Sequence, residues 1–194
     1  MLLTVFLAIV FCAAITLMLL SALHHVLKIM EGKMKKQDFL PIYGVGPIYV
    51  CVIAAFTLAA VLLRNQPLLA PGRLEALHSP LLILGIILVL AGIALWIYAV
   101  PISKIDDGIK ENRLVTTGAY ALVRNPIYSA AMIACTGVIL ILSNAWFFVL
   151  PFVYWLFMTV LMKATEEKWL RDLYGKEYDD YCKRVNRCWP WIRK

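Results

Sequence analysis

Five apolar runs divide the sequence, each bounded by charges or turn residues. They cover Leu2 to about Leu27, about Pro41 to Leu63, about Ser79 to Val100, about Pro126 to Leu142, and Ala145 to Met162. A helix needs about 20 apolar residues to cross a ~30 Å hydrocarbon core, and the first three runs reach that length. The last two are shorter and separated only by Ser143-Asn144, which predicts a helical hairpin that barely reaches the far face. None of the runs alternates with period 2, and lipid admits only helices or closed barrels. The expected fold is therefore all-α: a polytopic membrane protein with about five transmembrane helices, the last two a hairpin, and a cytoplasmic C-terminal helical tail. The first run is read as a span and not a cleavable signal, because no Lys or Arg precedes Lys28 and the stretch exceeds the usual ~7–15 residues of a signal core.

Charge supplies the orientation. The net charge of +7 would suggest nucleic acid in a soluble chain, but 62% hydrophobic residues against 16% charged place this one in the membrane class. Lys28, Lys33, Lys35 and Lys36 follow the first span, Lys104, Lys110, Arg113 and Arg124 follow the third, and nine more begin at Lys163. Only Arg64 and Arg73 lie in the alternate loops. Seventeen positive charges against two put the amino terminus outside and the tail in the cytoplasm. No nucleic-acid partner is expected.

Metal and disulfide chemistry are not expected. The five cysteines are odd in number and lack metal spacing, and Cys182 and Cys188 have no paired histidine. His24 and His25 diverge on a helix, and His78 belongs to the opposite side. Gly44-Val45-Gly46 lacks a third glycine and lies in a span, so no nucleotide fold follows from it.

The chain then divides by content, with residues 1–103 supplying three spans and 104–194 holding the polar segments where chemistry can occur. Two polar segments stand out in the second part. In the first, Gly118 allows a turn, Asn125 is a candidate N-cap, and Pro126 suits the first turn of a helix, where its missing N–H costs nothing. The fourth span thus starts with free backbone N–H groups at the cytoplasmic boundary, a seat for a carboxylate or other anion. Tyr120 and Tyr128 bracket it. In the second, Glu166-Glu167 is expected at the end of the fifth span, where a helix terminus prefers cations, so the pair calls for a cationic ligand or for Arg124. Beyond it, Leu170, Leu173, Tyr174, Tyr178 and Tyr181 share one face of an expected amphipathic helix, and Trp189-Pro190-Trp191 reads as an interfacial belt.

Leu114-Val115-Thr116-Thr117-Gly118-Ala119-Tyr120 followed by Arg124-Asn125-Pro126-Ile127-Tyr128 resembles the L-V-T-x-G-x-Y and R-H-P-x-Y elements of the isoprenylcysteine carboxyl methyltransferase family, within the wider phospholipid methyltransferase group. Glu166-Glu167, then Tyr174-Gly175-Lys176-Glu177-Tyr178-Asp179-Asp180-Tyr181 and Lys183-Arg184-Val185, resembles its E-E…F-G-x-E-Y-x-x-Y-x-x-R-V tail. The similarity covers about the last 90 residues; the first 100 match only as apolar spans. It implies S-adenosyl-L-methionine as methyl donor, with S-adenosyl-L-homocysteine as product. The implied cofactor contacts are Asn112, Arg113, Leu114, Val115, Tyr120, Asn125, Pro126, Ile127, Tyr128 and Glu166.

Two positions depart from the family pattern: Asn125 replaces its His, and Ala130 its usual Gly. Asn cannot act as a base at neutral pH, but a carboxylate acceptor is already ionised and needs none. The departure therefore leans toward carboxyl over amine methylation. The reading is an integral membrane O-methyltransferase, active on the cytoplasmic side, whose prenylated or otherwise hydrophobic substrate arrives through the bilayer lipids. Glu166, Glu167 and Arg171 are the candidate catalytic residues, with Lys163 or Arg171 to hold a substrate carboxylate and Met132, Met158 and Met162 as adaptable lining for its tail. The rivals are a phospholipid or other amine N-methyltransferase, a sterol-reductase-like membrane enzyme, and a non-enzymatic protein on the same scaffold.

Overall fold

The computed structural model describes residues 44–102 and 113–190. The expected first span, His24, His25, Asn112 and Lys104 to Lys110 lie outside the described residues. Among those described, the chain is helical throughout: α1 Gly46–Leu63, α2 His78–Ile97, α3 Ala119–Leu122, α4 Pro126–Ile141, α5 Val149–Ala164, α6 Glu166–Tyr174 and α7 Lys176–Arg184. Three helical stretches are long and apolar enough to cross a membrane: Gly46–Leu63, Glu75–Val100 and Ala145–Tyr174. Pro126–Ile141 is a shorter apolar helix. The protein is an integral membrane protein.

Proline and glycine punctuate the bundle. Pro47 and Pro126 sit at helix starts, where the lost N–H has no intrahelical partner to miss. α2 widens into a π turn at Tyr98–Ile102, where Pro101 has no N–H to continue the ladder.

α2 and α4 pack face to face through small residues. A Cβ added at Gly85 would meet the Gly137 carbonyl oxygen at 2.6 Å, and one at Gly92 would meet the Ala130 carbonyl oxygen at 2.7 Å. Gly85 and Gly92 are seven residues apart, as are Ala130 and Gly137, so the small positions recur along one seam. In a bilayer, where apolar burial does not separate helix from lipid, such close backbone approach is what holds helices together. The large apolar side chains of α2 point the other way: Ile83 and Leu90 are each 60% exposed, as suits a lipid-facing surface. α4 thus has its closest partner in α2 and not only in α5.

α1 and α5 are joined by polar contacts inside the bundle. Tyr49 Oη donates to the Tyr154 carbonyl at 3.2 Å, and Thr57 Oγ1 lies 2.9 Å from Tyr154 Oη. Satisfied hydroxyls of this kind are the form in which polar groups survive at membrane depth. Met132, Met158 and Met162 are fully buried in this core, packed with Phe157 and Leu161. They are core filler in this conformation and do not line an open tail site, a correction to the sequence expectation.

The hairpin turn and the loop after α1 meet at one end. The Leu74 N–H donates to the Ser143 carbonyl at 2.8 Å, and Asn144 Nδ2 donates to the Leu69 carbonyl at 2.9 Å. Ser143 adopts φ 49, and Asn144 Oδ1 caps the following turn by accepting from the Trp146 N–H at 3.1 Å. The remaining polar machinery gathers at the other end.

Two expectations for the tail are corrected. Glu166-Glu167 do not close the fifth span. α5 stops at Ala164, Thr165 breaks the helix at φ −126 and ψ −91, and the acids open α6. Carboxylates in a first turn face the positive end of the helix dipole and are well placed there. The amphipathic tail is also two helices, because Gly175 at φ 51 turns the chain between Tyr174 and Lys176.

Candidate active site

Pro126 starts α4, so the first turn of that helix presents the N–H groups of Ile127 and Tyr128. Among the described residues no side chain caps them. Asn125 occupies the N-cap position but does not cap: its amide Nδ2 donates to the Arg187 carbonyl at 3.1 Å, and its own carbonyl accepts from the Ser129 N–H at 2.9 Å. Asn125 is instead used to tie the tail to the helix start.

At the third residue of that turn, Tyr128 Oη donates to Glu166 Oε1 at 2.8 Å. The Val45 N–H donates to the same oxygen at 2.9 Å, across 121 residues. Both donors fall on Oε1, and Glu166 Oε2 has no protein donor among the described residues. A partly buried carboxylate with one oxygen fixed and the other free is an acceptor for an ammonium or hydroxyl group of a ligand. The ring of Tyr128 is itself held edge-on against Tyr49, centroids 6.1 Å apart.

Glu167, the neighbouring acid, is saturated by protein. It is 4% exposed. Arg187 Nε bonds its Oε1, Arg187 Nη2 donates to Oε2 at 2.9 Å, and Arg124 Nη1 lies 3.2 Å from Oε1. This hydrogen bonding holds the Arg187 guanidinium above its ordinary pKa. Arg124, which the sequence offered as a partner for the acid pair, thus meets the second acid. The Arg124 N–H also donates to the Asn186 carbonyl at 2.8 Å. Arg187 was not among the expected site residues; one basic residue among nine in the tail carries no local signal.

The remaining expected residues fall into two groups. Arg113, Leu114 and Val115 form an irregular segment leading to the turn at Gly118 (φ 61) and the short α3, while Asn112 lies outside the described residues. Tyr120 is partly buried on α3, where its carbonyl accepts from Tyr181 Oη at 2.6 Å. Burial pushes the Tyr181 hydroxyl well above its ordinary pKa, so it remains a donor. Arg171 and Lys163 are exposed. Arg171 Nε donates to Asp179 at 2.8 Å, and its guanidinium lies 6.0 Å from the Tyr178 ring centroid, which ties α6 to α7. The structure therefore gathers Asn125, Pro126, Ile127, Tyr128 and Glu166, sets Glu167 behind them, and leaves Arg171 on the outer face.

Sequence reasoning also missed Gly44, Val45 and Gly46. A Cβ on Gly44 would collide with the Glu166 carboxylate, and one on Gly46 would strike the Tyr128 ring. Two glycines and a proline in an otherwise large apolar run were the available signal.

Among the described residues no group of three or more His, Cys, Asp or Glu could hold a metal ion. The donor set suits an amino-acid zwitterion instead: uncapped N–H groups for a carboxylate and the free Glu166 oxygen for an ammonium or a hydroxyl.

A profile of the phospholipid methyltransferase family matches residues 79–177, about half of the chain, and the chain belongs to that family. Two curated proteins, each described as a "Probable protein-S-isoprenylcysteine O-methyltransferase", from Oryza sativa subsp. indica and Oryza sativa subsp. japonica, are 34% identical over 83 residues. The alignment covers 42% of this chain and 43% of each relative, so the chain spans well under half the length of these relatives. No solved structure matches it. This is an integral membrane protein of a methyltransferase family, and the isoprenylcysteine methyltransferase resemblance seen in its motifs extends to these relatives.

Proposed function

We propose that the protein is an S-adenosyl-L-methionine-dependent O-methyltransferase acting on the carboxylate of a prenylated or similarly hydrophobic molecule. The observation that carries the reading is the junction of Tyr128, Glu166 and Val45 beside the uncapped start of α4. The Ile127 and Tyr128 N–H groups would take the cofactor carboxylate, and Glu166 Oε2 its ammonium or a ribose hydroxyl. The cofactor supplies an electrophilic methyl group on a sulfonium.

The chain's own work is to bind, orient and exclude water. A carboxylate acceptor needs no base, which suits Asn125, whose amide serves structure by bonding the Arg187 carbonyl. Rate would come from desolvating the acceptor and aligning it with the methyl group. Glu167 is assigned a positioning role: with Arg124 and Arg187 it fixes the tail against the start of α4. Arg171 on the outer face remains the candidate contact for the acceptor carboxylate. The hydrophobic part of the acceptor would approach through the bilayer, with the site on the cytoplasmic side as the charge distribution expects.

Transfer of a labelled methyl group from S-adenosylmethionine to cysteine analogues of graded prenyl length tests the reading. Burial contributes about 0.8 kcal/mol per methylene, so turnover should climb steeply with chain length and vanish for the tailless compound. Equal turnover of the tailless compound contradicts arrival through lipid. Methylation of amine headgroup lipids alone would favour the N-methyltransferase reading, which the name of the matching family also raises.

A further inference from the structure

The family-matched stretch begins at residue 79, yet the Glu166 carboxylate receives one of its two hydrogen bonds from upstream of it. The Val45 N–H reaches Oε1 at 2.9 Å. Gly44, at φ 48, lies in the left-handed region that glycine tolerates without strain. It also passes so close to Glu166 that any side chain would displace the carboxylate, as one on Gly46 would displace the Tyr128 ring. Tyr49, one turn along α1, contacts the same ring.

Resting on the cofactor site proposed above, we infer that Gly44-Val45-Gly46 is a positioning element of that site. It closes on Glu166 and Tyr128 from the α1 side and holds Oε1, leaving Oε2 for the ligand's cationic or hydroxyl group. Without the Val45 donor the carboxylate would keep only the Tyr128 hydroxyl and would sample other rotamers. The site would then be assembled from both halves of the chain, and a fragment comprising only the matched half would lack one wall of it.

The experiment uses the full chain in nanodiscs with S-adenosylhomocysteine as probe. Gly44→Ala is expected to weaken binding by about tenfold or more, the scale of a hydrogen bond to a charged group. The loss should be clearly smaller in a Glu166→Asp background, because the shorter carboxylate withdraws from the added methyl. A merely structural role for Gly44 would give equal losses in both backgrounds. On the unaltered chain, which carries no folding risk, the probe should slow hydrogen exchange in peptides containing Val45 together with those containing Ile127 and Tyr128.

Binding that weakens in Glu166→Gln but is reduced equally by Gly44→Ala with Glu166 intact and in the Glu166→Asp background, with exchange at Val45 unchanged by the probe, overturns this inference and leaves the cofactor site standing. No binding by the unaltered chain overturns both.

Discussion

Tyr128 Oη, in the first turn of α4, donates to Glu166 Oε1 at 2.8 Å and so joins the start of a membrane helix to the start of the tail across 38 residues. If that bond orients Glu166 for a ligand, Tyr128→Phe removes a donor to a charged acceptor while keeping the ring against Tyr49. S-adenosylhomocysteine affinity, read by calorimetric titration, should fall by about 1.5–3 kcal/mol with little change in unliganded melting. Unchanged affinity would remove Tyr128 from the site.

Glu167 should behave in the opposite way. Its buried carboxylate is held by Arg187 and Arg124, and removing one member of such a group leaves uncompensated buried charge, which costs about 3–5 kcal/mol. Glu167→Gln is therefore expected to lower the melting temperature markedly even without ligand. A variant as stable as the parent would show that the ion triad does not hold the tail.

The seam between α2 and α4 is predicted to be intolerant of added volume. Gly92→Leu must displace the Ala130 carbonyl and the Ala134 side chain, each within 3 Å of an added Cβ. Overpacking of this kind typically costs about 1–3 kcal/mol, read as earlier thermal aggregation in detergent. Gly175→Ala separates backbone strain from overpacking, because nothing lies within 4 Å of its added Cβ and only the φ of 51 is strained.

Topology can be read directly. The loop after α1 and the hairpin turn share one end of the bundle, as Leu74 and Asn144 show. Reporter fusions after Leu69 and at the carboxyl end should report opposite sides of the membrane, with the carboxyl end cytoplasmic. Reports from the same side would contradict the arrangement drawn from the charge asymmetry.

What the sequence disclosed follows from the range of each interaction. The apolar helices α1, α2, α4 and α5 were legible because hydrophobic length is a local property, and the turn at Ser143-Asn144 because it is the polar interruption between the last two. Pro126 marked the start of α4 for the same reason. The break at Thr165 was not legible: Glu166 and Glu167 follow Lys163, Ala164 and Thr165, which could continue a helix, and it is the Thr165 backbone at φ −126 and ψ −91 that shows a new helix begins. Gly175 did stand in the middle of the expected amphipathic helix, but one glycine within a continuous face was not enough to divide it. The partners of the two acids were beyond reach for a different reason. Val45, Tyr128 and Arg187 are separated from them by 121, 38 and 20 residues, and contacts at those distances leave no periodicity in a single sequence.

The most direct test of the account is calorimetric titration of S-adenosylhomocysteine into the unaltered chain and into Glu166→Gln, both in nanodiscs. The unaltered chain should bind one equivalent, and Glu166→Gln should bind it more weakly by about 1.5–3 kcal/mol, the contribution of a charged hydrogen bond, with its unliganded melting preserved. Absence of binding to the unaltered chain, or equal affinity in the two, would contradict the assignment of Glu166 and the start of α4 as a cofactor site.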